Sequence, residues 1–335
     1  MKAFVTLPRN ANFDTFFTPQ NIELTKTLGT FIWNETDRQL TPAEIASQIG
    51  DCDTYITGWS SPLLDREILD AAPNIKLLVH LCGTVVPFVS DAMWERGIRV
   101  LSGNRFFAES VAEGTLAYML AALRDIPMYS HRLHDERKWK SSSDLNQGLA
   151  GKSIGLISYG AIAKNLVRLL SVFRVKVYVY DIKPLPAEDV ARYGLHQASM
   201  EQIFSECDII SVHTPLFDAT HHLIGQPLLS RIREGALFIN TSRGAVIDQK
   251  ALEQELADGR FRAVLDVYEK EPPSSTCPLY DLPNVMMMPH MGGPTIDLRA
   301  FITETLLREA EAYLREGAPI PSEITREMSL TMSRS

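Results

Sequence analysis

The stretch that decides the fold is KSIGLISYGAIAKNLVRLLSVFRVKVYVYD, residues Lys152–Asp181. Ser153–Ile157 and Val175–Tyr180 are near-continuous apolar runs, the mark of strands covered on both faces. Between them Ala163–Val172 is amphipathic at helical spacing. A strand, a tight turn, a helix and a second strand form the setting that a dinucleotide-binding turn requires. The turn is Ser158-Tyr159-Gly160-Ala161-Ile162-Ala163, read against G-x-G-x-x-G. A side chain at Gly160 would hold the backbone away from a pyrophosphate, and the amides of Ala161 and Ile162 open a helix whose N-terminus favours anions. Asp181 closes the second strand 21 residues after Gly160. A carboxylate there accepts hydrogen bonds from the ribose of NAD and repels the extra phosphate of NADP. NAD is therefore preferred, although Lys183 nearby leaves some room for NADP. Ala163 still lets helix and strand pack closely. Ser158 at the first glycine position either strains the turn or offers its hydroxyl to a phosphate. Without Asp181 the six residues would fit any βαβ turn with one glycine.

The same alternation of strand and helix runs outward in both directions. Downstream, the apolar runs Ile209–His213, Ala236–Asn240, Ala263–Val267 and Val285–Met288 alternate with amphipathic Met200–Cys207, Pro227–Ile232 and Gln249–Asp258. Upstream, Ala3–Leu7, Thr54–Thr57, Ile75–Leu81 and Ile98–Leu101 alternate with helix-like Thr41–Ile49, Pro62–Ala72 and Val89–Arg96. This is the doubly wound α/β pattern. Thr41 before Pro42 and Glu44 predicts a capped helix start. In SVAE, the S-x-x-E spacing of Ser110 and Glu113 predicts a capping box at the head of a helix over Ser110–Arg124. The polar stretch 135–149 predicts a surface connection. Asp297–Arg315 predicts a last helix ended by Gly317, and the polar tail after Pro319 a loosely held end.

A chain of 335 residues suits two domains. Apolar residues at 45% and charged residues at 22% give enough core to exclude wholesale disorder. The net charge of −8 argues against nucleic acid, which needs a concentrated basic surface. The four cysteines, Cys52, Cys82, Cys207 and Cys277, form no C-x-x-C pair and no zinc spacing, so no metal site is expected and a reduced compartment fits. MKAFVTLPRN has no signal-peptide apolar stretch, and no run approaches the roughly 18 apolar residues of a membrane span. The expectation is a cytoplasmic protein without membrane partners.

Three further motifs each follow a strand: INTSRGAVID with Arg243, LDVYEKEPP with Glu271, and MMMPHMGGPT with His290. In a parallel sheet the carboxyl ends of strands share one edge, where open α/β sheets bind ligands. Arg243, Glu271 and His290 are thus expected to meet on the edge that carries Gly160. Singly, each fits a surface ion pair or a turn residue; as an ordered set on one edge they read as catalytic.

With SVAE, the glycine turn ending at Asp181, HTPL, INTSRG, LDVYEKEP and PHMGG in this order, the chain resembles the D-isomer-specific 2-hydroxyacid dehydrogenases over about Ile75 to Leu314. The resemblance implies two doubly wound domains: a Rossmann NAD-binding domain over 105–291, inserted into a discontinuous flavodoxin-like substrate domain of 1–104 and 292–335. It implies a cleft between them that holds the chemistry, and a homodimer joined through the NAD domain, with Ser110–Arg124 a candidate contact. It implies hydride transfer between NAD(H) and C2 of a small 2-hydroxy or 2-keto acid, of hydroxypyruvate or glyoxylate type. His290 is then the acid in reduction and the base in oxidation. Glu271 orients and charges the imidazole. Arg243 offers its planar fork to the carboxylate and carbonyl of the substrate. Cofactor contacts fall on Ser158, Tyr159, Gly160, Ala161, Ile162, Asp181 and Thr241, with Thr214, Pro215 and Asp266 towards the nicotinamide. In HLCGTVV, the amides of Cys82, Gly83 and Thr84 are candidates for the substrate carboxylate, Gly83 permitting close approach; an ordinary strand-to-helix turn is the other reading.

Other histidines are set aside. His213 is expected to pack or support, His131 and His134 to face solvent on a helix, and His221 and His222 to carry no constellation. Cys82 has nothing near it in sequence to make it a nucleophile. In SGNRFFAES, Ser102 stands where the family commonly has Asn; Arg105 either meets a second anionic group or lies on the surface, and Phe106 or Phe107 either lines a pocket or packs. Two rival functions remain at this point: an NAD-binding corepressor-like protein with little turnover, and a dehydrogenase of formate or phosphite.

Overall fold

A computed structural model describes residues 1–142, 144 and 146–333. Ser143 and Leu145 of the expected 135–149 connection lie outside the described residues; 136–142 are exposed. The chain divides into two compact units, Met1–Phe107 with Pro294–Ser335, and Ala108–Gly293. The crossings fall three residues and two residues later than the sequence expectation.

The first unit holds β1 (Lys2–Val5), β2 (Thr30–Trp33), β3 (Thr54–Thr57), β4 (Leu77–His80) and β5 (Arg99–Ser102). The second holds β6 (Ser153–Ile157), β7 (Lys176–Tyr180), β8 (His196–Gln197), β9 (Ile209–Val212), β10 (Leu237–Asn240), β11 (Arg262–Leu265) and β12 (Val285–Met287). The chain then returns to the first unit and adds β13 (Glu323–Ile324).

The first sheet runs β13-β5-β4-β3-β1-β2, parallel except for β13. Without β13 this is the 2-1-3-4-5 order of flavodoxin-like sheets. Its strands carry apolar residues at successive positions because alternate residues serve two cores. Ala3, Val5, Leu77, Val79 and Leu101 face one, with Ile302, Leu306 and Leu307 of the helix Ile296–Glu316. Phe4, Tyr55, Leu78 and Val100 face the other, with Ile45 and Ile68. The helix Pro42–Ile49 starts as expected: Glu44 N–H donates to Thr41 Oγ1 at 3.3 Å and Thr41 N–H donates to Glu44 Oε2 at 2.8 Å. Such a cap contributes about 1 kcal/mol.

The second sheet is wholly parallel in the order β12-β11-β10-β9-β6-β7-β8. The chain goes from β6 outward to β8, then returns to the far side of β6 at β9, as in the 3-2-1-4-5-6 order of dinucleotide-binding sheets. Ile154, Leu156, Val177 and Val179 face one core, and Ile157, Ile210, Val212 and Phe238 face the other.

Some expectations are corrected. Ser110 and Glu113 form no capping box, because the helix that carries them begins six residues earlier and runs over Asn104–Leu123. Ser102 Oγ, accepting from the amide of Asn104 at 3.1 Å, stands at its head instead. By length and composition this helix is long and apolar enough to cross a membrane, a candidate that counting unbroken apolar runs passes over because Glu109 and Glu113 interrupt it. Its Ala112, Met119, Ala122 and Leu123 belong to the core of the second unit. The tail after Pro319 is not loose: Glu323 and Ile324 pair with Leu101 and Val100, and the carboxylate of Glu323 receives two donors of Arg99. The helices Ala11–Phe16 and Pro19–Leu28 and strand β2 lack a clear apolar period and go unread in the sequence.

Candidate active site

The loops after β10, β11 and β12, at the carboxyl edge of the second sheet, carry Arg243, Glu271 and His290. His290 Nδ1 lies 2.7 Å from Glu271 Oε2. The other carboxylate oxygen of Glu271 accepts the amide of Tyr268 at 3.0 Å, which fixes the direction of the carboxylate. With Nδ1–H directed at an acceptor-only carboxylate, Nε2 is the ring atom left to exchange a proton. The side chain of His290 is 50% exposed.

His290 has φ 54°, a left-handed backbone that costs a non-glycine residue about 1–2 kcal/mol. Asp266 holds it there. Its carbonyl accepts the amide of His290 at 2.9 Å, Oδ1 accepts the amide of Met291 at 2.8 Å, and Oδ2 accepts the amide of Gly292 at 2.8 Å. Tyr118 Oη adds a bond to Oδ1 at 3.3 Å. Asp266 is 2% exposed. Its carboxylate, read from sequence as a cofactor contact, also holds the turn that presents His290.

Arg243 is placed by its neighbours. Asn240 Oδ1 accepts the amide and hydroxyl of Ser242 at 3.0 and 2.8 Å, and Asn240 Nδ2 donates to the carbonyl of Arg243 at 3.1 Å. A Cβ on Gly244 would sit 1.8 Å from the carbonyl carbon of Tyr268. Only glycine lets the Arg243 loop touch the loop that carries Glu271. Burial draws the guanidinium of Arg243 below its ordinary pKa, and the carboxylate of Glu271 acts against that. Tyr118, Asn240 and Tyr268 thus support the site and are missed from sequence; only the Asn of INTSRG carries a signal, that of a side chain which closes turns.

At the glycine turn, Gly160 precedes the helix Ala161–Leu170, which has no side-chain cap. A Cβ on Gly160 would meet nothing within 4 Å, so the glycine is not explained by protein packing. Asp181 accepts the amide of Tyr159 at 2.8 Å through Oδ2 and the amide of Lys183 at 2.9 Å through Oδ1. Open space before uncapped amides, beside an anchored carboxylate, fits a dinucleotide. Ser158 has φ 78° and its hydroxyl lies 2.9 Å from Thr214 Oγ1. Thr214 is buried and also donates to the carbonyl of Ile157 at 3.3 Å; the carbonyl of Pro215 accepts from Thr220 Oγ1 at 2.7 Å; Thr241 Oγ1 lies 2.9 Å from Thr115 Oγ1.

In the first unit, the loop after β4 is braced by Ser102, whose hydroxyl reaches the carbonyls of Cys82 at 3.0 Å and Gly83 at 2.6 Å. Thr84 Oγ1 donates to the carbonyl of Ser333 at 2.6 Å. Burial pushes the Cys82 thiol up, away from a nucleophile. Arg105 is paired with Glu309 at 2.9 Å, which removes it as a free anion contact; Phe106 is buried, and Phe107 covers Gly83. His213 is buried with Nε2 3.0 Å from Ser211 Oγ, and burial draws it down to about 4, so it stays neutral. His131 and His134 are exposed. His221 and His222 do have company, contrary to expectation: Glu269 lies 2.9 Å from His222 Nε2, and the ligand atoms of all three fall within 4.8 Å of one another. Glu269 is 47 positions away in the chain, beyond the reach of local spacing.

Residues 116–292 match the family model described as D-isomer specific 2-hydroxyacid dehydrogenase, NAD binding domain. The chain is 30% identical over 298 residues to hydroxypyruvate reductase of Thermotoga maritima, covering 88% of this chain and 91% of that protein. It is 32% identical over 270 residues to glyoxylate reductase of Thermofilum pendens, covering 79% of each. The crystal structure of the TT0316 protein from Thermus thermophilus superposes with a TM-score of 0.77 at 28% identity, over 97% of this chain and 100% of that one. The chain belongs to the D-isomer-specific 2-hydroxyacid dehydrogenases. It is an NAD-dependent oxidoreductase of the CH–OH group, acting on a small hydroxy or keto acid.

Proposed function

We propose that this enzyme reduces a short 2-keto acid of the hydroxypyruvate or glyoxylate type, with His290, Glu271 and Arg243 as its catalytic residues. The observation that carries the reading is the 2.7 Å pairing of His290 with Glu271, on the strand end beside that of Arg243. When bound, NADH supplies the hydride for C2. His290 Nε2 delivers the proton to the carbonyl oxygen as its negative charge develops, and general acid catalysis of this kind contributes about 10² to 10⁴-fold. Glu271 stabilises the charged imidazole, and Arg243 holds the carboxylate and polarises the carbonyl. The amides of Cys82, Gly83 and Thr84 bind the substrate carboxylate. Ser158 to Ile162 hold the pyrophosphate, Asp181 the ribose, and Thr214, Pro215, Thr241 and Asp266 form the surroundings of the nicotinamide. On this reading the second unit is the NAD-binding domain and the first the substrate domain.

The relatives named for hydroxypyruvate and glyoxylate support the substrate class. The same proposal includes a homodimer formed through the second unit, where Ile126, Met128, Leu133 and Trp139 are exposed. It includes a cytoplasmic setting, consistent with four unpaired thiols, and no nucleic-acid or membrane partner, consistent with the charge of −8. The test is NADH oxidation with glyoxylate, hydroxypyruvate, pyruvate and bulkier keto acids, together with His290→Asn. The variant is expected to bind NADH and lose turnover. Undiminished turnover in it would remove the assigned proton donor.

A further inference from the structure

The order of the first sheet reverses between β1 and β3, and open α/β sheets hold ligands at the carboxyl edge where that happens. Trp59 follows β3 there, and Cys82 and Gly83 follow β4. Arg299, from the first turn of the helix Ile296–Glu316, reaches this group of residues. Its guanidinium carbon lies 4.8 Å from the ring centroid of Trp59 and 5.7 Å from that of Phe16. One terminal nitrogen donates to Thr15 Oγ1 at 3.3 Å, and Nε is buried with no partner. Burial draws the guanidinium below its ordinary pKa, and no carboxylate pairs with it among the described residues. A buried, unpaired donor on a cation is costly and calls for an acceptor.

The residues between Arg299 and the carboxylate loop are apolar. Trp59 is 42% exposed, although it makes edge contacts with Phe16 at 5.4 Å and Phe107 at 6.3 Å. Phe107 in turn lies 3.2 Å from where a Cβ on Gly83 would be. Phe107 and Trp59 form an apolar stretch with the Gly83 backbone at one end and, at the other, the Arg299 guanidinium, which has no counter-charge and an unpartnered Nε among the described residues. That is the shape of a site for a short acid whose far end carries oxygen.

We infer that Arg299 is a specificity-determining residue: it hydrogen-bonds an oxygen-bearing group on C3 of the substrate, while Trp59 and Phe107 pack against the carbon chain. The inference rests on the keto-acid reading above, with the 82–84 loop on the carboxylate. It selects hydroxypyruvate or a keto acid with a second anion over pyruvate, because a site built around a donor rejects an analogue that leaves it unpaired.

The experiment is kcat/KM with NADH for glyoxylate, hydroxypyruvate, oxaloacetate and pyruvate, in the full-length wild type, Arg299→Met and Arg299→Lys. The wild type should favour the better of hydroxypyruvate and oxaloacetate over pyruvate by about tenfold or more, and Arg299→Met should lower that ratio about tenfold. Arg299→Lys should fall between. A ratio within one preparation is independent of the fraction of folded enzyme, and Arg299→Lys reads the same ratio if the Met variant does not fold. Preference for oxaloacetate marks an anionic C3 group; preference for hydroxypyruvate marks a hydroxyl. A wild type indifferent to the C3 group, or variants that slow every acid equally, overturns the assignment of Arg299 while leaving the reductase reading intact. Turnover of none of the four acids removes both.

Discussion

Glu271 Oε2 and His290 Nδ1 are 2.7 Å apart, and the other oxygen of Glu271 is tied to the backbone amide of Tyr268. The carboxylate therefore has one direction, and the imidazole has one nitrogen left for a substrate. Glu271→Gln keeps size and hydrogen bonding but removes the charge that stabilises the imidazolium. Steady-state turnover should fall by on the order of 10²–10⁴ with NADH affinity little changed. Turnover within threefold of the wild type would mean that the pair is structural.

Gly160 and Gly244 answer opposite demands. Nothing lies within 4 Å of a Cβ on Gly160, whereas a Cβ on Gly244 would penetrate the backbone of Tyr268. Gly160→Ala should leave the melting temperature close to the wild type and weaken NADH binding about tenfold or more, which fluorescence titration reads. Gly244→Ala should cost about 3 kcal/mol of stability in denaturant unfolding, since backbone must move. Equal stability of the two variants would contradict these placements.

Asp181 has a structural task besides a ribose. Its oxygens accept the amides of Tyr159 and Lys183, and Asn can satisfy only one of them as an acceptor. Asp181→Asn should lower thermal stability and reduce the preference for NADH over NADPH about tenfold, as repulsion of the added phosphate is lost. A cofactor preference unaltered in kcat/KM would assign the discrimination elsewhere.

Each unit buries one neutral imidazole. His80 lies 3.0 Å from Thr57 Oγ1 and stacks on Phe88, and burial draws it down to about 3; His213 is drawn down to about 4. An unfolded chain titrates its histidines near ~6.5. Below that the unfolded state takes up protons that the folded state does not. The stability contributed by the neutral rings is full above about pH 6.5 and declines as the pH drops towards 4. Between pH 7 and pH 5 the loss should be about 2 kcal/mol per ring in denaturant unfolding, and His80→Gln should flatten the slope for the first unit. A wild-type stability that does not change over that interval would show the rings protonated in the fold.

The inner strands of both sheets were legible in the sequence because they are buried on two faces and stand out as apolar runs, as at Ser153–Ile157 and Ile209–Val212. The position of Gly160, Asp181, Arg243, Glu271 and His290 at the carboxyl edge was legible because each stands shortly past a strand end. Ala11–Leu28 and Thr30–Trp33 were not: Phe13, Phe16 and Phe17 are buried, but the buried positions of this segment include polar Asn21 and Thr25 and carry no clean period. Ser110 and Glu113 misled because the spacing of a capping box also occurs inside a helix, and only the position of Asn104 under Ser102 decides where the helix begins.

The sequence by itself determined the order of strands and helices and the edge on which the chemistry-bearing residues emerge, because periodicity and strand-end position are local properties of the chain. The tertiary structure alone decided what each side chain does there. The Asp266 carboxylate holds the His290 turn, Gly244 admits the backbone of Tyr268, Arg105 is taken by Glu309, and Arg299 is left without a counter-charge. Those are contacts between residues far apart in the chain, and hydrogen bonding and close packing act on distance in space, which no spacing along a sequence encodes.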